Sequence, residues 1–298
     1  MILGIDIGGT AIKLGIVDEQ TTLTDFREIP TLAERDTDAI LADILAAAKP
    51  LCDAYHPTAI GIGCAGRIHP PTGTVLRAGH LPFQNTPLTT ILGEALGLPA
   101  VIDNDANCAM LAEATIGACA DCRDALMITI GTGIGGAVWL DGKLYSGHNF
   151  RAGEFGHFIF DRHGEPCECG LHGCFEHYGS TTALMKLTSA AIAAHPDSRL
   201  AKKANGAPDG KILFAAAADG CPVAADVLTE YGQTLAAGLN SLVKMLMPQC
   251  IVLAGGITGA GQALLDVVTP HLLPEADIRI TTLGGHAGLL GAALLCRE

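Results

Sequence analysis

Aromatic residues make up 4% of the chain and there is one Trp, so any core must be built from aliphatic side chains. Basic residues are scarce as well. Lys and Arg total 18 against 31 Asp and Glu, a formal net charge of −13, and they form no cluster. A duplex-binding protein needs a basic face to neutralise phosphates, so the charge argues against a nucleic-acid partner. Small phosphate ligands are not excluded, because a few backbone N–H groups and a Mg²⁺ ion can carry them. No apolar run approaches the length of a membrane span. The start, MILGIDIGGT, is broken by Asp6 and does not read as a signal peptide. The expectation is a cytoplasmic protein with no membrane partner. The 11 Cys are odd in number and scattered, unlike a secreted disulfide framework. Neither a GxxxxGK[ST] loop nor a Pro/Ser-rich linker is present.

What the chain does have is glycine and apolar runs. It holds 298 residues, 49% of them hydrophobic, enough for two domains. Many of the 37 Gly follow short apolar runs, which suits an α/β nucleotide-binding protein. Residues 2–7 and 12–17 read as a hairpin around Gly8, Gly9 and Thr10. The spacing predicts a helix over 37–49, capped by Asp36 or Thr37, then a strand over 59–64, a helix over 88–96 and a strand over 100–102. The same grammar recurs at 125–130, where a strand meets a Gly-rich turn over 131–136 and a partner strand over 137–140. A helix over 223–247 follows, with Gly238 as its weak point and Pro248 as its stop. A strand over 251–253 leads to Gly255 and Gly256, and an apolar helix closes the chain. Turn residues cluster near 117–124, which is where a domain boundary is expected.

A hairpin turn of small residues lets backbone N–H groups approach phosphate oxygens. Asp6 adds a carboxylate able to hold Mg²⁺ through water, Thr10 a hydroxyl, and Lys13 an ammonium within reach of a phosphate. Gly131, Thr132 and Gly133 repeat the device, and Gly255 and Gly256 are a third glycine pair after a strand. Each turn alone would be a tight hairpin; the three together point to a nucleotide. Asp105, in the run IDNDAN, is a candidate base for a reacting hydroxyl. Asp103, Asn104 and Asp105 could equally cap the helix that follows.

Cys167, Cys169 and Cys174 fall within eight residues, with Gly between them. Thiolates completed by one imidazole suit a closed, structural, tetrahedral Zn²⁺. His157, His163 and His172 are all near enough in sequence to be the fourth ligand. Cys119 and Cys122 form a CxxC in a surface turn without redox context.

The set DIGGT, NDAN, GTGIGG and AGG resembles the actin/hexokinase/Hsp70 superfold. With Glu154-Phe155-Gly156-His157 and the C-x-C-G-x-x-G-C-x-E run from Cys167 to Glu176, the chain resembles the ROK family (repressors, open reading frames, kinases) along nearly its whole length. That resemblance implies an α/β fold of two actin-like (ribonuclease H-like) domains with an interdomain cleft. It divides the chain into 1–117, with 286–298 returning to it, and 118–285. It implies ATP with Mg²⁺ gripped by the first turn and the GTG turn, with Gly255 and Gly256 beside the adenosine. It selects His157 as the fourth Zn²⁺ ligand, makes Asp105 the base, and places Asn104, Glu154, His157 and Glu176 on a sugar.

Gly66 and Arg67 map to a further sugar-contacting loop. There His69 stands where many members have Asp, and the Gly66-Arg67 pair looks most like N-acetylmannosamine kinases. His80 also replaces an Asn usual in hexose kinases. The implied substrate is a hexose or N-acetylhexosamine phosphorylated on its 6-hydroxyl, N-acetylmannosamine before N-acetylglucosamine, with glucose as the alternative. The family also contains sugar-sensing regulators, a reading from another class. A homodimer is implied by the resemblance alone.

Overall fold

A computed structural model describes residues 1–297. The chain folds as two compact units: Met1–Arg123 with Ala137–Ala152 and Thr282–Glu298, and Asp124–Gly136 with Gly153–Thr281. The division expected from the sequence gives 137–152 to the second domain. This stretch belongs to the first because Gly142 N–H donates to the Arg123 carbonyl and Phe150 packs edge-on against His69, 5.3 Å between rings.

The first unit opens with β1 (Ile2–Ile7), β2 (Ala11–Val17) and β3 (Leu23–Pro30), an antiparallel meander. Helix α1 (Thr37–Tyr55) follows, capped by Asp36, whose side chain accepts from the Ala39 N–H. It runs past the expected stop at 49 and carries Pro50 within it, because Leu51 beyond the proline is fully buried. Strand β4 (Ile60–Cys64) then pairs parallel with β1.

A small antiparallel sheet comes next: β5 (Arg67–His69), β6 (Thr74–Arg77) and β7 (Gln84–Thr86). After α2 (Leu88–Leu96), β8 (Ala100–Asn104) joins β4 in parallel, giving the sheet order β3-β2-β1-β4-β8. Helix α3 (Asp105–Ile116) starts directly at the end of β8.

Strand β9 (Ala125–Ile130) and β10 (Ile134–Leu140) form the second hairpin, with β11 (Lys143–Leu144) beyond it. The expected loop over 131–136 is shorter than its glycines suggest, since Ile134, Gly135 and Gly136 already belong to β10. The second unit continues through α4 (Glu176–Gly179), α5 (Thr181–Ala194), α6 (Arg199–Ala204), α7 (Gly210–Ala218) and α8 (Pro222–Leu246). Strand β12 (Cys250–Ala254), α9 (Gln262–Val268) and β13 (Ile278–Ile280) complete it. The second sheet is ordered β11-β10-β9-β12-β13, the topology of the first repeated.

Helix α8 does not weaken at Gly238. The residue is buried where Phe175 packs, and a Cβ there would lie 2.2 Å from the ring. Glycine was selected here by close packing, at a cost of about 1 kcal/mol in helix propensity. Among the described residues no single helix is long and apolar enough to cross a membrane.

Helix α10 (Ala287–Leu295) lies in the first unit against α3, β1 and β4. The approach is backbone to backbone. A Cβ on Gly291 would sit 1.6 Å from the Cys108 carbonyl oxygen, and one on Gly61 1.8 Å from that of Ala292. Buried Leu3, Ile5, Ile7, Ile60 and Ile62 fill the rest of this core. Aliphatic packing of this density supplies what the scarce aromatics do not.

Candidate active site and metal loop

In the first unit the end of β8 and the start of α3 hold the candidate base. Asn104 is the cap: its Oδ1 accepts from the N–H groups of Ala106 (2.9 Å) and Asn107 (3.3 Å). Its Nδ2 donates to the Gly66 carbonyl at 3.1 Å. Capping is therefore the task of Asn104, and Asp105 is the first residue of the helix. Gly66 has φ +121°, and a Cβ there would come within 2.7 Å of the Arg77 carbonyl oxygen. Both facts require glycine. Arg67 beside it is exposed.

Asp6 faces Lys13 across the β1–β2 pair. Its carboxyl is pushed up to about 7, first by burial and then by the charge of Asp105, with Lys13 pulling the other way. A buried carboxylate whose proton affinity is raised by a neighbouring carboxylate is a fitting place for a divalent cation, whose hard charge suits oxygen donors. The N-terminal end of α10 is also close; a Cβ on Gly288 would stand 2.7 Å from the Asp6 carboxylate. The Lys13 ammonium donates to the Gly285 carbonyl at 2.7 Å. Gly9 and Thr10 are exposed at the turn, and Gly8 is tied down by its N–H to the Ala11 carbonyl and by the Thr31 hydroxyl on its own carbonyl.

In the second unit a cavity of about 800 Å³ opens beside the second turn. Gly131, Thr132 and Gly256, singled out in the sequence, line it together with Thr181, Met185 and Ile257, which the sequence does not single out. Helix α5 supplies this wall because its first residues are bonded to the turn: Thr181 N–H to the Gly131 carbonyl (2.9 Å) and the Thr182 hydroxyl to that of Thr132 (2.7 Å). Gly255 has φ +99° and passes so near the Ile130 carbonyl that a Cβ would lie 2.2 Å away. Gly133 abuts Glu176, whose Oε2 a Cβ would meet at 2.6 Å.

The metal loop lies in the same unit. One ligand atom each from His157, Cys167, Cys169 and Cys174 falls within 4.8 Å of all the others, a set that could hold a metal ion. Cys169 and Cys174 sulfurs are 3.4 Å apart, and His157 Nδ1 is 3.6 Å from Cys167 Sγ. A tetrahedral ion with bonds of about 2.0–2.3 Å spans such a group. Of the three histidines near in sequence, His157 is the one brought to the thiols; His163 instead accepts from Arg162 at 2.8 Å. Burial and the two neighbouring thiols push Cys174 up to about 12, and Cys167 is also raised, chiefly by burial. A bound cation reverses these shifts by taking the thiolates as ligands. Cys167, Glu176 and His177 form a second, overlapping trio.

Around the loop, Phe158 stacks on Phe175 at 4.9 Å, which carries Glu176 to the loop's edge. Glu176 Oε1 lies 3.5 Å from His157 Nδ1 and 3.3 Å from Cys167 Sγ. Glu154 Oε2 is 3.9 Å from His157 Nε2. Glu154, His157 and Glu176, expected to bind a sugar, thus sit together as two carboxylates on either side of one imidazole.

Twice-repeated β3-β2-β1-β4-β8 topology, each copy opened by a hairpin turn fit for phosphate, makes this an actin-like fold of two domains. The ROK family model matches residues 2–298. A glucokinase of Streptomyces coelicolor is 35% identical, covering 100% of this chain and 98% of its own. An N-acetylmannosamine kinase of Salmonella typhi is 33% identical, covering 99% and 98%. The crystal structure of a ROK family glucokinase from Streptomyces griseus, in complex with glucose and AMPPNP, superposes with a TM-score of 0.87 at 33% identity, covering 99% of each chain. The chain belongs to the ROK family.

Proposed function

We propose that this protein transfers the γ-phosphoryl group of ATP to the 6-hydroxyl of a hexose or N-acetylhexosamine, with N-acetylmannosamine first, N-acetylglucosamine second and glucose as the alternative. The chain is a sugar kinase, since the relatives it matches over their whole length are sugar kinases; the two glycine turns and the His/Cys cluster support that reading. The observation that supports the chemistry most is the Asn104-Asp105 pair at the strand-to-helix junction. Asn104 takes the capping role, so capping does not account for Asp105, whose charge reaches Asp6.

In the reaction, Asp105 accepts the proton of the 6-hydroxyl as its oxygen bonds to the γ-phosphorus. The bond from that phosphorus to the bridging oxygen breaks, and ADP leaves with the electron pair. The turn at Gly8, Gly9 and Thr10 and the turn at Gly131, Thr132 and Gly133 donate backbone N–H groups to phosphate oxygens. Lys13, braced on Gly285, presents its remaining N–H groups to phosphate. Asp6 would hold the Mg²⁺ that accompanies ATP, and the ion would supply neutralisation of phosphate charge. The adenosine side occupies the cavity bordered by Gly256 and α5, with Gly255 one residue before that border. Gly66, Arg67, Asn104, Glu154, His157 and Glu176 take the ring hydroxyls. His157, Cys167, Cys169 and Cys174 would hold a structural Zn²⁺, which would keep the imidazole between its two carboxylates.

The test is sugar-dependent ADP release from ATP–Mg²⁺ across N-acetylmannosamine, N-acetylglucosamine, glucose, allose and fructose. Turnover preferring an N-acetylhexosamine is the expected result. Preference for glucose makes the alternative correct. Failure with every sugar by folded, zinc-loaded protein refutes the kinase and favours a sugar-sensing protein.

A further inference from the structure

Asp103 is a buried carboxylate one residue before Asn104, and no step of the phosphoryl transfer uses it. Its Oδ1 accepts two hydrogen bonds, from the Asn104 N–H at 2.6 Å and from Asn107 Nδ2 at 2.8 Å. Asn107, one turn into α3, is also buried. The side-chain pair therefore staples the last strand residues of β8 to the first turn of α3, and the residues bracketed are Asn104, Asp105 and Ala106. The helix start already has its cap in Asn104. A second closure built on a buried carboxylate is a costly way to start a helix that needs no further capping.

It does fix direction. Asn104 is held at its backbone N–H by Asp103, at its Oδ1 by the helix and at its Nδ2 by Gly66. With residue 107 pinned as well, the backbone between them keeps one course, and the Asp105 side chain leaves it in one direction. We infer that Asp103 and Asn107 are positioning residues for phosphoryl transfer, which aim the Asp105 carboxylate and the Asn104 amide without touching sugar or nucleotide. This rests on the reading of Asp105 as the base. A misaimed base loses rate steeply, since general-base catalysis needs the proton within hydrogen-bond reach.

The test exploits the polarity of the pair. Asn107→Asp sets a carboxylate against a carboxylate. In the reversed double variant, Asp103→Asn with Asn107→Asp, Asn at 103 donates to Asp at 107 while its oxygen still accepts from the Asn104 N–H. Rates are measured at saturating sugar, well below the melting temperature of each variant. Asn107→Asp should lose at least tenfold in kcat with the KM for ATP within about twofold, and the double variant should return to within about threefold of wild type. Asn107→Ala, which removes the donor without adding charge, should fall between them and serves if Asn107→Asp does not fold.

Folded single variants with kcat within threefold of wild type overturn the inference. So does a folded double variant as slow as Asn107→Asp. Asp105→Asn, run alongside, separates the two readings. If it keeps its rate, the base assignment fails; if it is inactive while Asn107→Asp is fast, only the staple fails.

Discussion

Replacing Asp6 by Asn should make the metal-free protein more stable and the enzyme inactive. The ordinary carboxyl value is 3.8, and in the fold Asp6 rises to about 7. An unfolded chain releases this proton near pH 4, the folded one near pH 7. Between those values the folded state binds more proton, so stability present below pH 4 is lost as pH rises through 7. A gap of about three pH units, at about 1.4 kcal/mol each, sets a ceiling of about 4 kcal/mol. The carboxylate keeps some contact with solvent, and relaxation around the charge brings a realistic figure to about 2 kcal/mol. Asn removes the charge. Metal-free Asp6→Asn should therefore melt about 5 °C above wild type at pH 8, and the gap should close by pH 4.

Mg²⁺ should raise the wild-type melting temperature and leave the variant unmoved. Turnover should drop at least a hundredfold, because the cation loses its carboxylate. Thermal melts in chelator across pH 4–8, repeated with Mg²⁺ and paired with an ADP-release assay, test all three. A variant no more stable than wild type at pH 8 would refute the account of Asp6 as a destabilised anion awaiting a cation.

Asp105→Asn should cut kcat by about 10²–10⁴, the usual worth of a general base, while sugar affinity by calorimetry stays within threefold. Stripping the metal, or Cys169→Ala, should loosen the loop that holds His157 and Glu176 and weaken sugar binding at least tenfold, read by calorimetry on protein of verified zinc content. Gly66→Ala forces a Cβ to 2.7 Å from a carbonyl oxygen in backbone of φ +121°, and should destabilise the first unit by about 2–3 kcal/mol in thermal melts.

Features written in neighbouring residues are legible in the amino-acid sequence itself. The two hairpin turns follow from glycine between apolar runs, and the cluster of Cys167, Cys169 and Cys174 from their spacing. The helix start after β8 is visible too, but three residues compete to cap it. The hydrogen bonds of Asn104 decide among them, and its partner Gly66 lies 38 positions away. Long-range partners explain the other misses. Gly238 reads as a helix breaker until Phe175 is seen against it. The Gly285 carbonyl that accepts from the Lys13 ammonium is likewise far off in the chain, so the brace on Lys13 cannot be read locally. Helix α5 shows no nucleotide motif, and its role at the cavity follows from hydrogen bonds to residues 131 and 132. Local propensity also ends α1 too early at Pro50, where burial of Leu51 carries the helix on.

Helix α10 bears on the order of assembly during synthesis. The ribosome delivers β1, β4 and α3 early, yet the surface where they meet is shaped around glycines whose missing side chains leave room for a helix made much later. Until that helix arrives, Gly61 and Cys108 face a gap, and the segment that crowds Asp6 is missing. A nascent chain can own every catalytic side chain and still lack the enclosure that tunes them. Competence to react is thereby tied to the docking of α10, and a protein that lacks residues 287–295 should behave as an unfinished one.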